Sequence, residues 1–177
     1  FRTPDNFYVY PYYTGLSQLA LVNRAREQYD GLDIVLKEFT AMFLYNIARP
    51  YWKKKHICLV DEKYSTRAQD NGYYFFKHCM EHDEEKYLGQ KIYYVITKDS
   101  PDYDMIRPYK KNVMHFMTIR HMCYILAAEL LVSTDARSHI YAQRSRHSIF
   151  TRYTKKLPFV FLQHGVTALK RVDFFYG

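Results

Sequence analysis

Five short apolar runs, separated by stretches of helical periodicity, constrain this chain more than any other feature. Ile57 to Val60, Ile92 to Thr97, Val113 to Met117, Leu130 to Ser133 and Phe159 to Leu162 are each bounded by polar or turn-forming residues. Runs of this length read as strands, and their near-continuous apolar character suits strands covered on both faces. Between them the pattern changes. Asn71 to His82, opened by Asp70-Asn71, and Ile119 to Glu129 both predict helices. Residues 138–153 predict another, best over Tyr141 to Arg146. Strand–helix alternation of this kind predicts an α/β fold built on a doubly wound parallel sheet. Right-handed crossovers then bring every strand end to one rim.

The stretch before the first strand has a different character. Residues 1–30 carry Pro4, Pro11, Gly15 and many tyrosines, and Gly31 follows. They read as an irregular lead-in with one helix near 16–28. From Leu32 to about Trp52 the spacing of Leu36, Phe39, Phe43 and Ile47 is helical. Trp52-Lys53-Lys54-Lys55 closes this segment. The expected arrangement packs the apolar stripe on a core and turns the lysines to water; the other is a helix lying at a membrane surface. The organisation expected is therefore a tyrosine-rich lead-in with an amphipathic helix over 1–53, and an α/β unit over 54–177.

In open α/β sheets, ligands bind beyond the carboxyl ends of the strands. The residues that follow the strands here are Asp61 to Ser65, Lys98-Asp99-Ser100, Thr118, Ser133-Thr134-Asp135 and Gln163-His164-Gly165. Carboxylate, hydroxyl and imidazole groups at one rim meet the needs of proton transfer. His164, at the end of the last run, stands where the chemistry of such sheets usually lies; the alternative is a histidine that caps backbone groups or sits in a satisfied polar pocket. Gly165 permits a close approach of backbone or ligand.

Charge points the same way. The chain has 26 Lys+Arg against 18 Asp+Glu, a net charge of +8. Between Asp135 and Asp173 no acidic residue occurs, yet Arg137, Arg144, Arg146, Arg152, Lys155, Lys156, Lys170 and Arg171 do. A one-signed stretch raises the local concentration of anions and can hold phosphate by charge-assisted hydrogen bonds. Arg137, Arg144, Arg146, Lys170 and Arg171 are the phosphate-binding candidates.

Several functions lose support. No glycine-rich phosphate loop is present, which argues against nicotinamide binding and ordinary nucleotide hydrolysis. His78, Cys79 and His82 lack a second ligand pair, so no metal and no cofactor are expected. Three cysteines without paired spacing suggest reduced core thiols in a cytosolic compartment. No signal peptide or membrane-span run is apparent. The basic stretch has no nucleic-acid-binding motif, so nucleic acid is not an expected partner.

Three segments resemble the CDP-glycerol glycerophosphotransferases of teichoic acid biosynthesis. They are Asp61-Glu62-Lys63-Tyr64-Ser65 with Asp70-Asn71-Gly72, Leu130 to Asp135, and Phe159 to Gly165 with Lys170 shortly after. Gln163 stands where the common family form has Trp, and Lys170 lies one residue further from His-Gly. The resemblance covers about Lys54 to Gly177. It implies a Rossmann-like, acceptor-side first lobe of a GT-B architecture, with the second lobe absent from these residues and this portion inactive alone. It further implies that His164 activates an acceptor hydroxyl for attack on CDP-glycerol, with release of CMP. Asp61, Ser65, Asp135, Gln163 and Gly165 would support the site. The implied partners are CDP-glycerol, a lipid-linked glycerol-phosphate acceptor and an anionic membrane surface. The implied location is cytoplasmic, peripheral on the inner face of a bacterial membrane. A GT-B glycosyltransferase using a nucleotide sugar, or a non-catalytic anion-binding module, are the alternatives.

Overall fold

A computed structural model describes residues 7–14, 16–26, 28–83, 86, 88–142 and 148–163. Five parallel strands form its centre: β3 (Ile57–Asp61), β4 (Lys91–Ile96), β5 (Val113–His115), β6 (Ala128–Ser133) and β7 (Phe159–Phe161). Their order is β5-β4-β3-β6-β7. The chain runs outward from β3 to β4 and β5, then returns past β3 to β6 and β7. The switch in direction lies between β3 and β6. This is the parallel α/β sheet expected from the alternation.

Both faces of the sheet are covered over β3 and β4, which explains why these strands are so apolar, whereas Val160 and Phe161 of the edge strand β7 are exposed. Ile57 and Leu59 of β3 join Val95, Met114 and Leu131 on one face. There they meet α1 (Leu32–Ile47), α5 (Ile119–Ala127, which follows the one-turn α4, Tyr103–Ile106) and α6 (Ile149–Lys156) through Ala41, Ile125 and Phe150. Cys58 and Val60 point the other way, with Tyr94 and Ile96, against Phe76 and Cys79 of α3 (Asn71–Glu81). The two-residue alternation sorts β3 between two separate cores. Cys58, Cys79 and Cys123 are all buried and none is in a disulfide.

The lead-in departs from expectation. Residues 16–28 hold no helix among the described residues. Instead β1 (Phe7–Tyr13) and β2 (Leu19–Ala25) pair as an antiparallel hairpin. Tyrosine and valine favour a pleated surface, and the Thr14 N–H closes the turn on the Gln18 carbonyl at 2.9 Å. Arg24 then pairs with Asp30 and anchors the hairpin end ahead of α1.

The helix after Leu32 forms, but it turns over. It breaks at Ala48, before Pro50 starts the short α2 (Arg49–Lys53). Its buried line is Ile34 and Ala41, with Met42 and Tyr45 partly covered. Leu36, Phe39, Phe43 and Ile47 are instead 66%, 65%, 65% and 66% exposed. Small Ala41 lets the helix sit close to α5, and Cys123 Sγ reaches the Ala41 carbonyl at 3.5 Å. Glu38, on the same buried side, accepts from the Tyr141 hydroxyl and from Ser148 Oγ at 2.6 Å. These polar contacts select that side over the greasier stripe.

A smaller correction falls after β6. Tyr141 and Ala142 are not helical, and Gln143 to Arg146 lie outside the described residues; the helix of this region is α6 at Ile149–Lys156.

The connection from β3 to α3 is held by Glu62, whose side chain is fully buried. Its carboxylate accepts from the backbone N–H groups of Gln69 (2.5 Å), Asp70 (2.9 Å) and Tyr73 (2.9 Å). Unpaired donors at the start of α3 are thereby satisfied. Gly72 makes room for this contact. A Cβ there would lie 3.0 Å from Glu62 Oε2 and 3.1 Å from the Asp61 carbonyl oxygen. Gly72→Ala is therefore expected to destabilise the fold by about 1–3 kcal/mol, read as a lower urea midpoint with an unchanged slope. An unchanged midpoint would show that the helix start yields without cost.

Candidate functional site

Beyond Asp61 the chain turns sharply. Lys63, Tyr64 and Ser65 form a 3₁₀ turn in which all three adopt the left-handed region, at φ 46°, 58° and 58°. Non-glycine residues there cost about 1–3 kcal/mol each and persist only where the surroundings impose them. The restraints are explicit. Ser65 N–H donates to the Glu62 carbonyl at 2.8 Å, Thr66 N–H to Lys63 at 3.1 Å, and Thr97 N–H to Ser65 at 2.7 Å. Tyr64 N–H donates across the sheet to Asp135 Oδ2 at 2.7 Å. The turn is pinned to the ends of both neighbouring strands.

The outcome is a fixed, outward aromatic ring. Tyr64 stacks on His139 with ring centroids 3.8 Å apart and planes at 22°. His139 Nδ1 also lies 3.4 Å from Asp135 Oδ2, an ion pair when the imidazole is protonated. His139 belongs to the 3₁₀ turn Arg137–Ile140, reached directly after β6. Tyr64 and His139 thus face each other over the β3/β6 switch, where doubly wound sheets place their ligands.

An open cavity of about 730 Å³ sits over this rim. Tyr64, Thr66, Thr97, Asp99, Phe116 and His139 line it from the ends of β3, β4, β5 and β6, and Tyr29 and Tyr141 complete its aromatic wall. Tyr29 meets Phe116 edge to face at 5.7 Å. Burial, and then the charge of Asp99, raise the Tyr29 hydroxyl above its usual pKa.

Beneath the turn lies Asp61, which has no exposed surface. Its Oδ2 accepts from Ser65 Oγ at 3.4 Å, and its Oδ1 has no hydrogen-bond partner. Burial pushes its carboxyl up to about 7. The Ser133 and Ser65 hydroxyls oppose that shift, and the charges of Asp135 and Glu62 add to it. Asp61 is sealed from the cavity and supports the turn from below. His121 is the contrasting case: fully buried, it accepts from the Met117 N–H at 3.1 Å, and burial pushes it down to about 3, so it stays neutral.

The chain is similar to one curated protein, the minor teichoic acid biosynthesis protein GgaB of Bacillus subtilis (strain 168). They are 29% identical over 133 residues, covering 75% of this chain and 14% of that protein. This chain thus spans a small part of its relative's length. No protein-family model matches it, and no solved structure gives a significant match.

Of the residues marked out in the sequence, Asp61, Ser65 and Asp135 meet at the β3/β6 switch. Gln163 reaches the same rim: its carbonyl accepts from the Asn71 side chain, while Leu162 N–H donates to the Ser133 carbonyl at 2.8 Å. Arg137 turns elsewhere, donating to the Lys155 carbonyl at 2.6 Å with its guanidinium over Phe159. His164, Gly165, Arg144, Arg146, Lys170 and Arg171 lie outside the described residues. Among the described residues no group of three or more His, Cys, Asp or Glu could hold a metal ion. Sequence reasoning placed Tyr64 in the rim segment Asp61 to Ser65 without singling it out, missed its partner His139, and missed Tyr29. The first two meet only across the sheet, and the third belongs to the segment read as irregular.

The Asp61 carboxyl sets a pH dependence of stability. Its folded pKa, about 7, lies above the ordinary 3.8. Its contribution is therefore fully present below about pH 3.8 and is lost as pH rises through 7, at up to about 1.4 kcal/mol per pH unit. Asp61→Asn carries no titrating group. The stability of the variant relative to wild type is expected to rise from pH 4 to pH 8 in urea unfolding. A difference that stays constant with pH would overturn the assignment.

Proposed function

We propose that this chain is the acceptor-side lobe of a transferase of teichoic acid-type polymer biosynthesis. In this reading it moves glycerol phosphate from CDP-glycerol to a lipid-linked acceptor. The observation that carries it is the similarity to GgaB in a chain whose sheet switch opens into a cavity. The strand-end segments Asp61–Ser65 and Ser133–Asp135, two of those that resemble the glycerophosphotransferases, lie at that switch.

The step is a phosphoryl substitution. An acceptor hydroxyl gives its proton to His164, and its oxygen attacks the phosphorus that bears glycerol. The bond from that phosphorus to the bridging oxygen breaks, and CMP leaves with the bridging oxygen. Gln163, the residue before His164 in the sequence, is held at the rim by Asn71. Arg144, Arg146, Lys170 and Arg171 would meet the phosphates of donor or polymer, while Arg137 steadies the β6–α6 connection. The donor's nucleotide would be held mainly by a second lobe.

The full-length protein, given CDP-glycerol and a lipid-linked glycerol-phosphate acceptor, is expected to release CMP only when acceptor is present. His164→Ala should reduce that release at least 1,000-fold while leaving the unfolding transition intact. Acceptor-independent turnover, or full activity in the variant, would refute the assignment. CMP-free turnover with a UDP-sugar would select the glycosyltransferase alternative.

The exposed stripe of α1 supports a peripheral site on the inner face of an anionic membrane. Leu36, Phe39, Phe43 and Ile47 form an apolar band, and Lys53 and Lys54 follow at its end. Buried apolar area and charge attraction together set the strength of such binding. Among the described residues no helix is long and apolar enough to cross a membrane. Co-sedimentation with phosphatidylglycerol vesicles is expected to fall at least tenfold in Phe39→Ser/Phe43→Ser, whose side chains contribute little to the core. Equal sedimentation of wild type and variant would overturn this placement.

A further inference from the structure

The chemistry of the rim cavity identifies a class of ligand that the basic stretch does not suggest. Its walls combine aromatic faces with neutral hydroxyls and one carboxylate: Tyr29, Tyr64 and Phe116 beside Thr66, Thr97 and Asp99. The Asp99 carboxylate is exposed at the cavity and accepts hydrogen bonds but repels anions. A phosphate would meet that repulsion. A sugar ring would not. It offers a rim of hydroxyl donors and acceptors for Asp99, Thr66 and Thr97, and an apolar face of C–H groups that packs on an aromatic ring.

Tyr64 is built as such a platform. It is 62% exposed although it is a large aromatic residue, and a left-handed backbone holds it outward. One face of its ring is covered by His139 at 3.8 Å, which leaves the other face for a single flat partner. Its backbone N–H is fixed by Asp135. An exposed aromatic ring at a strained turn, held by a stacked neighbour, is preorganised for contact and loses little entropy on binding. The other aromatic contact in the wall, Tyr29 on Phe116, is edge to face at 81°. Among the described residues the cavity therefore has no parallel pair of rings spaced to sandwich a nucleobase, and it favours one-sided stacking.

We propose that the cavity over the β3/β6 switch binds a neutral hexose ring, stacked on Tyr64 and hydrogen-bonded through Asp99. The ring is a sugar unit of the lipid-linked acceptor, set back from its glycerol phosphate end, if the transferase reading above holds. The binding itself rests only on the cavity. A glycerol phosphate unit is disfavoured at this position by the Asp99 charge.

The test is ligand-observed saturation-transfer NMR on the full-length protein, with methyl N-acetylglucosaminide, methyl glucoside, glycerol 3-phosphate and CMP as probes. At least one methyl glycoside is expected to receive saturation through its ring C–H protons. Tyr64→Phe should retain that signal, Tyr64→Ala should weaken binding at least tenfold, and Asp99→Asn, at an exposed position, should weaken it several-fold. Glycerol 3-phosphate or CMP binding that is lost in Tyr64→Ala, with no glycoside signal, would overturn the proposal. So would glycoside binding indifferent to both Tyr64→Ala and Asp99→Asn in folded protein. The assay does not depend on turnover. Glycoside binding without CMP release would remove the transferase reading and keep the sugar site, and CMP release without glycoside binding would do the reverse.

Discussion

The rim of this sheet depends on a buried carboxylate. Glu62 leaves β3 with no contact to water and spends its oxygens on three backbone N–H groups around the start of α3. Burial raises its pKa, and those three donors, which favour the charged form, oppose the rise without cancelling it. Once Glu62 is fixed inward, the next three residues must reverse direction within one turn. They do so in the left-handed region, and the hydrogen bonds to Glu62, Lys63, Thr97 and Asp135 hold them there. The orientation of Tyr64, and with it one wall of the cavity, follows from that anchor.

The adjacent acid, Asp61, shows how strongly local surroundings divide like groups. Asp61 and Glu62 are neighbours, and both are buried. Glu62 is surrounded by backbone donors, whereas one oxygen of Asp61 has none. Its carboxyl is consequently held near neutrality. Burial raises the pKa of both carboxyls; three backbone donors temper the rise at Glu62 and two hydroxyls at Asp61, beside a turn that stores strain. Here the stored strain supports a surface turn, and the acid that carries it never meets the cavity.

The outward face of α1 has a related origin. Helical spacing marks the line Leu36, Phe39, Phe43 and Ile47, and the structure buries a second one, Ile34 and Ala41 with Glu38 beside them. The core takes the second, because Ala41 permits close packing on α5 and Glu38 finds two hydroxyl partners. Hydrophobicity alone would choose the first. Shape and hydrogen bonding decide against it, and a large apolar band is left on the surface, a feature that commonly marks an interaction surface.

Much of this architecture was legible in the residues themselves. Five apolar runs at strand length, with helical spacing between them, dictated a parallel α/β sheet, since near-continuous apolar runs call for cover on both faces. The strand-end positions of Asp61, Ser65, Asp135 and Gln163 followed from the same pattern. What the linear pattern could not carry were relations between distant segments. The hairpin at 7–25 was hidden by Pro11 and Gly15, which read as irregularity until two strands paired. The stacking of Tyr64 on His139 joins residues 75 positions apart, and no periodicity links them. The identity of the strand-end residues was written in the sequence because it depends on local order and polarity. Which of them face a common cavity was decided only by the sheet, whose reversal between β3 and β6 brings their turns together.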